Sequence, residues 1–103
     1  MASDEAMVRN PKMKESDITK KILKYLASQK HFAFKHWGGM MGRRGVSDII
    51  GAQKGTGIAF FLEVKKPGLD ANYEQKEFLF EAELTGAIIR VVHSVEEVKK
   101  IGL

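Results

Sequence analysis

The sequence predicts an α/β domain built on a mixed central β-sheet flanked by helices. Three observations lead there. Apolar residues recur at helical spacing in two separate stretches, short runs rich in β-branched and aromatic residues lie between them, and one strand–helix–strand passage requires a crossover. With 103 residues, 44% of them apolar, the chain has material for one compact core.

Residues 1–12 are polar, contain Pro11 and carry no periodicity, so they read as a flexible arm ahead of a folded domain at 13–103. From Lys14 to Gln29 the pattern is helical, with Ile18, Ile22, Tyr25 and Leu26 on one stripe. Glu15 falls on that same stripe and puts a carboxylate on the buried side of the first turn. His31 to Trp37 is aromatic-rich and too short for a helix, so it is expected to be a strand. The following segment, Gly38 to Gly45, is glycine-rich and basic and reads as a loop.

Val46 to Ala52 and Ile58 to Lys65 are two further apolar runs, joined through Lys54-Gly55-Thr56-Gly57 as a β-hairpin. Pro67-Gly68 closes the second. Tyr73 to Leu84 is helical, with Gln75, Phe78, Leu79 and Ala82 on one face, and Thr85-Gly86 ends it. Ala87 to His93 reads as a buried strand. Ser94 and Glu97 have capping-box spacing, opening a last helix to about Ile101. The order is α-β-β-β-α-β-α. The passage from Ile58 to His93 implies a parallel pair, and the hairpin runs, apolar on both faces, imply a sheet sandwiched between helices.

Lysine and arginine number 17 against 13 acids, a net charge of +4 that favours a polyanionic partner. With no cysteine, disulfides and thiolate metal sites are excluded and a reducing interior is permitted. No stretch approaches the ~20 apolar residues of a membrane span and no charged-then-apolar leader opens the chain, so a cytoplasmic protein is expected.

A two-residue turn at Gly55-Thr56 would set Asp48 directly opposite Glu63, with Lys65 on the same face two residues on. Two opposed carboxylates repel, and a hard divalent cation is the natural offset. Mg²⁺ takes one or two carboxylates and binds substrate phosphate in what remains, while the lysine orients water or neutralises developing charge. The combination suits phosphodiester hydrolysis.

Gly45-Val46-Ser47-Asp48 followed by Glu63-Val64-Lys65 resembles the bipartite motif of the PD-(D/E)xK nuclease superfamily and, within it, the VRR-Nuc domain of the stand-alone phage and bacterial type. The resemblance runs from Glu15 to about Ile101. It takes in Glu15, the Gly-x-x-Asp-Ile-Ile turn, the Glu-Val-Lys strand, Gln75 and the Gly86–Ser94 segment; Ser47 stands where the superfamily name places proline. It implies a restriction-endonuclease-like core and a metal, Mg²⁺ with Mn²⁺ able to substitute, held by Asp48, Glu63 and the backbone carbonyl of Val64. Lys65 would be catalytic, Glu15 would bind the metal's water shell or a second ion, and Gln75 would position Lys65 or the scissile phosphate. It further implies a homodimer that cleaves branched DNA, in the manner of Holliday-junction resolvases.

Arg43, Arg44 and Lys66 are candidate DNA contacts. His31, His36 and His93 lack metal-ligand spacing and are expected simply to occupy strand positions. Trp37, Phe32 and Phe34 are expected in the core or at a dimer interface, and the pairs Lys20-Lys21 and Lys99-Lys100 on solvated helix faces. Two other readings remain open: a non-catalytic nucleic-acid-binding module on the same fold, and a restriction-type endonuclease reading a sequence.

Overall fold

A computed structural model describes residues 13–38 and 42–103; the arm expected at 1–12 and the middle of the glycine-rich loop lie outside the described residues. The elements are α1 (Glu15–Ser28), β1 (Phe32–Lys35), β2 (Ile49–Ala52), β3 (Ala59–Val64), α2 (Tyr73–Glu83), β4 (Ile88–Val92) and α3 (Val95–Ile101). The expected order is met, with strands trimmed at their ends where the ladder stops. The sheet runs β1-β2-β3-β4, the first two pairs antiparallel and the last parallel, so α2 is the crossover between β3 and β4.

Helix α1 forms because Ile18, Ile22 and Leu26 share a face and bury completely. Its start is held by the Asp17 carboxylate, which accepts the Lys14 N–H at 3.1 Å and lies at the favoured end of the helix dipole. The buried stripe meets Ile49, Phe60, Leu62, Val64 and Val92 on one face of the sheet, where Val98 of α3 also packs. Gly51 lies under this layer. A Cβ there would sit 2.3 Å from the Phe32 carbonyl and 2.4 Å from the Phe60 ring, so only glycine lets that ring lie against β2.

The hairpin pairs Ile49 with Leu62 and Ala52 with Ala59, the register expected. The turn differs. Gln53 and Ile58 still pair, and Lys54 to Gly57 form a four-residue loop in place of a two-residue turn. Thr56 Oγ1 donates to Gln53 and accepts the Ile58 N–H, which stabilises the wider loop, and the added residue on each side leaves the register unchanged.

The opposite face is covered differently from the expected sandwich. Phe61, Ile89 and Val91 meet Leu79, Phe78 and Ala71, because α2, as the crossover, lies over the two strands it joins. The β1–β2 half carries Phe32 and Phe34, 67% and 44% exposed, whose rings meet edge to face at 5.8 Å. Trp37 is 78% exposed, with the Lys35 ammonium 4.8 Å above its ring. These three aromatics are therefore not core residues.

His31 lies before β1 rather than within it. Its Nδ1 accepts the Lys54 N–H at 2.9 Å and its Nε2 meets the Leu103 carbonyl at 2.8 Å, stapling the hairpin loop to the end of the sequence. The expected capping box at Ser94 is half formed. Ser94 Oγ accepts the Glu97 N–H, but the Glu97 carboxylate turns to the N–H and ring of His93 instead. The two lysine pairs are exposed as expected.

Candidate active site

One further step along the β2–β3 ladder beyond Ile49 and Leu62 sets Asp48 opposite Glu63. Asp48 lies just before β2, and its side-chain Oδ2 accepts the Val64 N–H at 2.8 Å. That bond ties the acid of one strand to the backbone of the next. Glu63, on β3 between Leu62 and Val64, is buried at 2% exposure. Its Oε2 accepts a hydrogen bond from Gln75 Nε2 at 2.8 Å and lies 3.9 Å from the Lys65 ammonium, while Oε1 is buried with no hydrogen-bond partner.

Burial above all, and then the Asp48 carboxylate beside it, push the Glu63 carboxyl from 4.5 up to about 8; Lys65 pulls it down, and Glu15 adds a smaller upward push. An ionised, half-satisfied carboxylate beside a second one is costly in an apolar setting. A proton or a cation removes that cost.

Gln75 is fixed from both ends. It is the third residue of α2, whose cap Asn72 accepts the Gln75 N–H at 2.9 Å and returns its own N–H to Gln75 Oε1 at 2.8 Å. Because a backbone N–H must meet the amide oxygen, the amide nitrogen necessarily faces Glu63. The Gln75 side chain thus holds Glu63, the carboxylate beside Lys65. Nothing in the sequence pattern pairs Gln75 with Glu63; the capping spacing of Asn72 and Gln75 was the available signal.

The loop before Asp48 packs on the start of α2 at Gly45, whose φ is +76° and where a Cβ would lie 2.3 Å from the Glu74 carbonyl oxygen. Arg43 is drawn along α2, paired with Glu81 and 5.1 Å from the Phe78 ring. Arg44 is 84% exposed and only loosely paired with Glu74 at 3.7 Å. Lys66 sits half-buried beyond β3, and Glu15, also half-buried, bears on the site through its charge. An open cleft of about 680 Å³ is lined by His36, Arg43, Arg44, Gly45, Asp48 and Glu74.

The donors present fit a hard divalent cation. Among the described residues no three His, Asp or Glu side chains gather as a ligand cluster. Two carboxylates with an unpartnered oxygen, supplemented by a backbone carbonyl and water, are nonetheless the sparse all-oxygen set that Mg²⁺ accepts.

No protein-family model and no curated protein matches the sequence. Solved structures do. A VRR_NUC domain aligns with a TM-score of 0.72 at 23% identity, over 84% of this chain and 91% of that one. A VRR_NUC domain protein aligns with a TM-score of 0.70 at 18% identity, over 86% of this chain and 84% of that one. At these identities the likeness is one of fold, and the chain has the restriction-endonuclease-like fold of those domains.

Proposed function

We propose that this chain is a metal-dependent nuclease that hydrolyses DNA phosphodiester bonds. The observation that carries the reading is Glu63: a buried carboxylate facing Asp48, one oxygen unpartnered and an ammonium at its edge. A domain that only bound nucleic acid would gain nothing from turning two carboxylates toward phosphate.

Asp48, Glu63 and the Val64 carbonyl would hold Mg²⁺ or Mn²⁺, with Glu15 bearing on its water shell. When bound, such an ion supplies Lewis-acid activation of water and of the scissile phosphate. Lys65, mostly buried beside Glu63, donates to the attacking water or to the phosphate oxygen on which charge grows. Gln75 holds Glu63 in place by occupying one carboxylate oxygen and leaving the other for the ion. Arg44, on the cleft wall, and Lys66, next to Lys65, are the proposed contacts to the phosphate backbone.

The preferred substrate in this reading is branched DNA and the working form a homodimer, which presents two identical sites to a two-fold junction. The exposed rings of Phe32 and Phe34 on the β1–β2 half-face would supply apolar surface for that pairing. The test is incubation with four-way junction, flap and linear duplex DNA, with and without Mg²⁺ or Mn²⁺. Metal-dependent product, lost in Asp48→Ala and Lys65→Ala, supports the reading. A gel shift without product under any metal condition points to a binding module instead.

A further inference from the structure

Two of the three histidine rings have both nitrogens committed: His31 between Lys54 and Leu103, and His93 between Glu97 and Leu69. The ring of His36 makes no hydrogen bond, ion pair or ring contact with any described residue. Its backbone, by contrast, is firmly placed. The His36 N–H donates to the Asp48 carbonyl at 2.7 Å, carrying the β1–β2 ladder one step beyond the Lys35–Ile49 pair. His36 thus stands opposite Asp48, as Asp48 stands opposite Glu63. Residues opposed in antiparallel ladders project to one face, so the three form a row across the ends of three strands. His36 and Asp48 line the same cleft, with Arg44 on its wall.

Position within the row sets the role. His36 is one strand spacing from Asp48 and two, roughly 10 Å, from Glu63, and among the described residues it does not gather with those two carboxylates as a ligand cluster. Lys65 already stands at the Glu63 end. We propose that His36, with Arg44, forms a subsite for the phosphate that flanks the scissile one, the ring N–H donating to a non-bridging oxygen. This rests on the nuclease reading of the same site. An imidazole ring carries an N–H that can donate to such an oxygen. The exposed Arg44–Glu74 pair, at 3.7 Å, gives up little when the guanidinium turns to a phosphate.

The experiment compares wild type, His36→Ala and His36→Gln on a DNA substrate and on the same substrate carrying one neutral methylphosphonate at the flanking linkage. Binding is measured by anisotropy in Ca²⁺, and cleavage in Mg²⁺. Expected is roughly tenfold weaker binding and a higher KM for His36→Ala, with kcat little changed and Gln retaining most of the affinity. The methylphosphonate should weaken wild type by a similar factor and His36→Ala no further. Additive effects, or His36→Ala binding as wild type does, overturn the proposal. A wild type that cuts neither substrate sinks the hydrolase reading, while the Ca²⁺ binding series still decides the role of His36.

Discussion

The Gln75 amide nitrogen donates to Glu63 Oε2 at 2.8 Å while its amide oxygen accepts the Asn72 N–H at the same distance, so a helix cap and a buried acid share one side chain. Gln75→Ala removes both bonds. It should lower Mn²⁺ affinity roughly 10- to 100-fold, the usual cost of losing a partner that orients a ligand. Titration calorimetry on the two proteins measures it, and unchanged affinity would show Gln75 to be a cap alone.

Glu63 makes the metal-free protein sensitive to pH in an unusual direction. Its carboxyl, normally near 4.5, titrates in the folded state at about 8, so between those values the folded state holds a proton the unfolded state lacks. Stability attributable to this group therefore falls as pH rises through that window and levels off above it. Glu63→Gln has no charge to bury. In chelator it should melt several degrees above wild type near pH 9 and close to it near pH 5, and it should gain nothing from Mg²⁺. Melting curves of the two proteins across pH check this.

His93 shifts stability in the same direction. Burial lowers its pKa, but the Leu69 carbonyl and the Glu97 carboxylate outweigh burial and raise it above 6.5. Its contribution is full below pH 6.5 and is lost as pH rises through the raised value. His93→Ala should therefore cost more stability at pH 5.5 than at pH 8.5. Equal costs at both would mean that the ring's charge is not engaged.

Gly45 joins the site loop to α2. Alanine there would meet the Glu74 carbonyl at 2.3 Å with a φ of +76°, so the loop must move away from the helix. Gly45→Ala should cost on the order of 1–3 kcal/mol and reduce cleavage, since Asp48 lies at the end of this loop. Retained stability and activity would show that the loop's seat on α2 does not matter.

Much of this site was legible in the sequence because its central part is local. The Asp48–Glu63 register depends only on a short hairpin, and alternation alone places Lys65 with Glu63. The register even survived a mistaken turn, because Lys54 to Gly57 widened the loop symmetrically. What was hidden is what the long connections decide. The link between β1 and β2 is far longer than a hairpin turn, so nothing in the sequence set His36 beside Asp48. The hold of Gln75 on Glu63 depends on where the crossover helix lands. So does the bare half of the sheet, where Phe32 and Phe34 look like core residues and are exposed because α2 covers only the two strands it joins.

The most direct test of the central claim is single-turnover cleavage of end-labelled DNA in Mg²⁺ by wild type and Lys65→Ala, with Mn²⁺ binding followed on the same preparations. Wild type should give product that chelator abolishes, and Lys65→Ala should bind Mn²⁺ and yield at least a hundredfold less product, the order expected for losing a group that stabilises transition-state charge. Equal cleavage by the two proteins would contradict the account.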